Sequence, residues 1–165
     1  MFRRMGELLV ECGELDAPTL EGILKEQRRH YRPFGRIAAE MFGVDEWAIW
    51  RAWAEQYSAC CPTIDLKGQE FDARIGSLVA PEEVWKFRSL PLRMHDGDVV
   101  MVTAKPFLAR ALAFVDFRLN EPTVLWLTSV EQLEQAIITR YGRVLPAELS
   151  GGRSGAGAGP VTKSA

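Results

Sequence analysis

The chain has 165 residues, 47% of them hydrophobic and 25% charged, and a net charge of −2. This is the composition of one globular domain or two small ones with enough apolar mass to bury a core. It leaves no overall basic field for nucleic acid or an anionic membrane, so any anion site must be local.

In chain order, Met5, Leu8, Leu9 and Cys12 fall at helical spacing. They predict a short helix over 5–12 with Cys12 buried, stopped by Gly13. Asp16 reads as an N-cap with Pro18 in the first turn, opening a helix to about Gln27 whose apolar face is Leu20, Ile23 and Leu24. Residues 28–33, RRHYRP, read as a polar connector. A third helix over 35–42 carries Ile37, Ala38 and Met41, and Asp45 caps a fourth over 46–57 that holds Trp47, Trp50 and Trp53. Those tryptophans share one side of the helix, which predicts burial against the second half of the chain and a partner surface wherever the stripe stays exposed.

The second half changes pattern. CPTIDL (61–66) reads as a strand or extended segment, and Ala80–Phe87 as a short helix. Ser89–Met94 and Val99–Thr103 flank an Asp-Gly step, a strong hairpin signal. Phe107–Leu119 is helical in spacing, Pro122–Leu127 reads as a strand, and Ser129-x-x-Gln132 is a capping box opening a helix to Tyr141 and Gly142. The expected fold class is α+β. A four-helix tandem-repeat subdomain (1–57) precedes a small α/β subdomain with a short sheet (58–143) and a disordered glycine-rich tail (144–165).

The first four helices form a repeat. RMGELLVECGELDAPTLEGILKEQ (4–27) and PFGRIAAEMFGVDEWAIWRAWAEQ (33–56) align with Gly6 on Gly35 and Gln27 on Gln56. Two copies are fewer than a free-standing solenoid needs, so they should pack on each other or on the second half. The first copy, Arg4-Met5-Gly6-x-x-Leu9-Val10-x-x-Gly13-x-Leu15-x4-Leu20-x2-Ile23-Leu24-x2-Gln27, resembles the tandem motif of the MshEN domain. That domain is the N-terminal portion of GspE-type ATPases of type II secretion and type IV pili. The resemblance continues through Leu90–Arg93, the Asp96–Asp98 turn, Val99–Pro106 and Val130–Gly142, and so covers about residues 4–143.

The resemblance implies cyclic di-GMP as ligand and a secretion, pilus or polysaccharide-export protein as partner. On it, Arg4 contacts guanine, Gly6 faces phosphate, Leu9 and Val10 floor the base, and Gln27 reads its edge. Gly35 and Gln56, with Arg32, serve the other half-ligand, and Met5, Gly13 and Phe34 complete the implied ligand-binding set. The chemistry is suitable: a guanidinium pairs with guanine O6 and N7 or stacks on its face, and a helix-start glycine admits a phosphate to backbone N–H groups. Copy two departs from the motif: Pro33 replaces the arginine beside Arg32, Ala38-Ala39 replace Leu-Val, Phe42 replaces the mid-motif glycine with Gly43 one place later, and Trp53 replaces a leucine. A half-site, a weakened site and a protein-interaction module that has lost nucleotide binding all remain open. Each of Arg4, Gly6, Gly35, Leu9 and Val10 also has a purely structural reading as a solvated arginine, a close-packing glycine or a core residue.

No membrane span or insertion is expected, since no run of eighteen apolar residues is present. The start, with acids inside its apolar stretch, does not read as a signal peptide. Cys12, Cys60 and Cys61 include no C-x-x-C, which argues against a disulfide framework or zinc and favours a cytoplasmic setting. No Walker A step occurs, and His30 and His95 suggest no catalytic constellation, so a non-catalytic role is expected.

Overall fold

The computed structural model describes residues 3–143; the expected tail lies outside the described residues. Among the described residues, eight α-helices and a three-stranded sheet make an α+β fold. The helical half comprises α1 (Met5–Glu11), α2 (Ala17–His30), α3 (Phe34–Phe42) and α4 (Glu46–Ser58). The second half comprises α5 (Ala73–Gly76), α6 (Pro81–Phe87), β1 (Leu90–His95), β2 (Asp98–Ala104), a 3-10 turn at Lys105–Phe107, α7 (Leu108–Arg118), β3 (Thr123–Thr128) and α8 (Val130–Tyr141).

The repeat is a three-dimensional equivalence at a constant offset of 29 residues. Asp16 accepts from the Thr19 N–H and Asp45 from the Ala48 N–H, so both copies start their second helix with the same cap. The buried pairs Leu8 and Ile37, Leu9 and Ala38, Leu15 and Val44, and Ile23 and Ala52 stand at that offset and fill one core. The first helix of each copy ends on a left-handed glycine, Gly13 (φ 73°) and Gly43 (φ 66°). The glycine moves one place because α3 runs two residues longer than α1, and Phe42, at the position of Gly13, lies over Gly22 of α2.

The copies diverge where their surroundings differ. Among the residues of α2, Ile23 is buried; α4 buries Ala48, Ile49, Trp50, Ala52 and Ala54 around most of its circumference. A helix apolar nearly all round is one wedged between two layers. Ala48, Ile49 and Ala52 of α4 lie in the repeat core, whereas Trp50 and Ala54 join the core of the sheet. Trp53, also against the sheet core, stands where α2 carries the half-exposed Leu24.

The sheet has the order β1-β2-β3, with β1–β2 antiparallel and β2–β3 parallel. Asp96 (φ 51°) and Gly97 (φ 91°) form the two-residue hairpin turn expected of an Asp-Gly step. Pro91 sits on the outer strand β1 beside a bulge, where its missing N–H is tolerated. The segment 61–66 is extended: Thr63 bridges Leu127 in parallel, with the Ile64 N–H donating to the Leu127 carbonyl at 2.8 Å.

Several local expectations are corrected. α2 runs to His30, not Gln27; Glu26 draws Arg29 (3.1 Å) and His30 (3.3 Å) along the helix, and basic residues suit its C-terminal end. Tyr31 then stops it in the left-handed region (φ 51°). Cys12 is exposed because it caps α1 instead of lying on its inner face. Met41 is 52% exposed and Leu24 39%, each turned off the inner face of its helix. The capping box at α8 is half formed: Ser129 accepts from the Gln132 N–H, but Gln132 Oε1 accepts from the Leu66 N–H at 2.8 Å instead of turning back. The short helix α5 lies in a segment with no apolar period to announce it, and its N-terminal neighbour Asp72 donates its N–H to the Leu92 carbonyl on β1.

Candidate functional site at the junction of the repeats

The two motif starts meet each other. The Phe34 ring lies beside Gly6, with Cζ 3.2 Å from where a Cβ would stand, and Met5 Sδ lies 3.9 Å from the equivalent point on Gly35. Since Met5 and Phe34 hold the same place in the two copies, the packing is reciprocal: each copy covers the glycine of the other. Behind each glycine a second equivalent pair closes in, Leu20 on Gly6 and Ile49 (2.8 Å) on Gly35. A side chain at Gly35 would press on the stiff Ile49 and force the helices apart, while one at Gly6 would have to displace the end of Leu20; close packing is thus a reason for glycine at both positions, and the stronger one at Gly35.

Arginines surround this junction, and the structure sorts them. Arg3 pairs with Glu11 at 2.6 Å, and at the same offset Arg32 pairs with Glu40, which also lies 3.7 Å from Arg36. Arg32 is therefore the counterpart of Arg3, and Pro33 is the true counterpart of Arg4. The Arg4 guanidinium is exposed and has no hydrogen-bond or ion-pair partner among the described residues; its backbone N–H donates to Glu7 Oε2 at 2.9 Å. Gln56 Nε2 donates to the Arg3 carbonyl at 3.1 Å, so the last turn of copy two reaches the first residues of copy one.

Arg4, Met5, Gly6, Phe34, Gly35 and Gln56 are thus brought together, with Arg32 alongside but held by Glu40. Leu9 is 1% exposed within the repeat core and Val10 is half-buried against it. Gly13 stands at the far end of α1, roughly 10 Å along the axis from Gly6 at 1.5 Å per residue. Gln27 is half-buried in α2, where its carbonyl accepts from the Tyr31 N–H.

Of the tryptophan stripe, Trp50 is buried and stacks on Trp53 (5.1 Å between centroids), with Phe117 of α7 edge-on at 5.8 Å; Trp47 is 48% exposed. Sequence reasoning missed Tyr57. Its hydroxyl accepts from the Leu125 N–H at 3.1 Å and donates to the Leu125 carbonyl at 3.3 Å, closing the outer edge of β3. The available signal was divergence between copies: Tyr57 stands 29 residues after Arg28.

Cys61 Sγ donates to the same carbonyl at 2.9 Å, and burial, with a smaller push from Cys60, raises its thiol pKa to about 11. Such a thiol is a packing group, not a nucleophile at neutral pH. Two grooves lie away from the junction: one of about 320 Å³ between Thr63–Asp65 and the start of α8, and one of about 230 Å³ between α4 and the start of α7. No described helix is long and apolar enough to cross a membrane. Among the described residues no group of three or more His, Cys, Asp or Glu side chains is placed to hold a metal ion.

No family model matches the chain. It is similar to the type IV pilus assembly ATPase PilB of Thermus thermophilus, 27% identical over 147 residues. That match takes in 84% of the chain, which spans 15% of the relative's length. Solved structures similar to it include MshE with cdg (cyclic di-GMP), at 23% identity and a TM-score of 0.44, covering 84% of this chain and 99% of that one. Another is the N-terminal domain of XpsE, at 15% identity and a TM-score of 0.42, covering 83% and 96%. The likeness to the pilus ATPase agrees with the resemblance carried by Arg4–Gln27.

Proposed function

We propose that this chain is a non-catalytic regulatory module that binds cyclic di-GMP at the junction of its two helical repeats. It would dock, in the cytoplasm, onto a protein of secretion, pilus or polysaccharide-export machinery. The observation that carries the reading is the exposed guanidinium of Arg4, unpartnered among the described residues, beside the reciprocal Met5–Gly35 and Phe34–Gly6 packing. An exposed cation without an ion-pair partner among the described residues can pair with guanine or phosphate without first breaking an ion pair. Arg32, held by Glu40, cannot, so the site is asymmetric and copy one supplies the main charged contact.

A second reading is favoured by Leu20 and Ile49, which account for Gly6 and Gly35 by packing alone. On it the repeats are a scaffold for protein contact, with the exposed Trp47 as part of the surface. Isothermal titration with cyclic di-GMP separates the two. Saturable heat at low or middle micromolar ligand supports the sensor; no heat at high micromolar ligand refutes it and leaves the scaffold.

A further inference from the structure

Helix α4 is a wall of both cores, and its last turn carries two adjacent residues with anchors on opposite sides. Gln56 donates to the Arg3 carbonyl at the repeat junction. Tyr57 brackets Leu125, accepting from its N–H and donating to its carbonyl. Leu125 lies on the outer edge of β3, where the backbone partners Pro62 and Ile64 engage Leu127 but not Leu125. The edge is therefore completed at Leu125 by side chains, those of Tyr57 and Cys61. The thirteen residues of α4 contain neither glycine nor proline, so the helix has no built-in hinge to absorb a displacement.

We propose that α4 is a coupling lever: a change at the repeat junction is transmitted through Gln56 and Tyr57 to the order of the outer edge of β3. That edge borders the groove formed by Thr63, Ile64, Asp65 and Gln132, which places the output of the lever on an accessible face. Coupling between two places in one molecule is reciprocal, so loosening either end must loosen the other.

Amide hydrogen exchange on the full chain, read residue by residue by NMR, tests this. The reporters are the Leu125 amide on the edge, the Leu8 amide bonded to the Arg4 carbonyl, and the Leu133 amide bonded to the Ser129 carbonyl as a control in α8. Tyr57→Phe is expected to speed exchange at Leu125 by about tenfold and at Leu8 by about threefold. Gln56→Ala is expected to speed Leu125 by about threefold, with Leu133 unchanged in both variants. Leu125 at the wild-type rate in Gln56→Ala overturns the proposal. So does equal acceleration of Leu125 and Leu133, which would mean only a general loss of stability. Should Tyr57→Phe fail to fold, Gln56→Ala, a helix-compatible change at a half-buried position, decides the matter alone.

Discussion

Ile49 Cγ2 stands 2.8 Å from the point where a Cβ on Gly35 would lie. That carbon is bonded directly to the Ile49 Cβ, and a β-branched side chain in a helix has one strongly preferred rotamer. At the equivalent place in copy one, the obstacle to a Cβ on Gly6 is Leu20 Cδ1, the far end of a side chain that can turn aside. Gly35→Ala should therefore cost about 1–3 kcal/mol through overpacking. Gly6→Ala should cost less, because Leu20 Cδ1 can turn aside where Ile49 Cγ2 cannot; the gain of about 1 kcal/mol from replacing a helical glycine applies to both. Urea unfolding of the two variants checks the order; a neutral Gly35→Ala would show that the helices are not in close contact there.

The arginines give a second comparison. If cyclic di-GMP binds at the junction, Arg4→Ala removes a charge-assisted contact worth about 1.5–3 kcal/mol, a loss of roughly 10- to 100-fold in affinity. Arg32→Ala should change affinity by less than about threefold, because its guanidinium is already engaged by Glu40 and a ligand contact would have to replace that pair. Titration calorimetry on both variants tests the asymmetry. Equal losses would mean that Glu40 releases Arg32 to the ligand, and a reversed order would refute the assignment of Arg4.

The tryptophans of α4 differ sharply in what they support. Trp50 is buried between Trp53 and Phe117 where α4 meets α7, so Trp50→Ala should destabilise by about 3–5 kcal/mol. Trp47, half exposed, should tolerate alanine within about 0.5 kcal/mol. Chemical denaturation followed by far-UV circular dichroism separates them without relying on the fluorophores removed.

Most helices and strands were legible because their signals are local. Asp16 and Asp45 announce helix starts, the Asp96-Gly97 step announces the hairpin, and Gly142 announces the end of α8. What stayed hidden depends on residues distant in sequence. Gln132 looked like half of a capping box, but its partner is Leu66, 66 residues away. Tyr57 carries no local signal, because its partner Leu125 lies 68 residues on. The junction lies between these cases. Two glycines at a fixed offset signalled close approach, but whether side chain or phosphate approaches them is not written in a residue without a side chain. One alteration of copy two has the same origin: α4 serves two cores where α2 serves one, and Trp53, with Tyr57 just past the end of the copy, packs against the second.

The cysteines yield a prediction in pH. Burial, first, and the neighbouring Cys60, second, raise the Cys61 thiol from 9.0 to about 11. Burial also raises Tyr57 and Tyr141 above 10.0. Each of these groups is neutral when protonated, and the folded state holds its proton more tightly than the unfolded chain does. Their contribution to stability is therefore complete below pH 9, where both states are protonated. It is lost as pH rises through 9 to 11, where the unfolded chain ionises first. The melting temperature should fall across that window, and Cys61→Ala should make the fall shallower. At pH 8, Ellman's reagent should react quickly with exposed Cys12 and Cys60 and slowly with half-buried Cys61, giving two fast thiols and one slow. Three equally fast thiols would show that Cys61 does not hold the Leu125 carbonyl, and that the outer edge of β3 is open in solution.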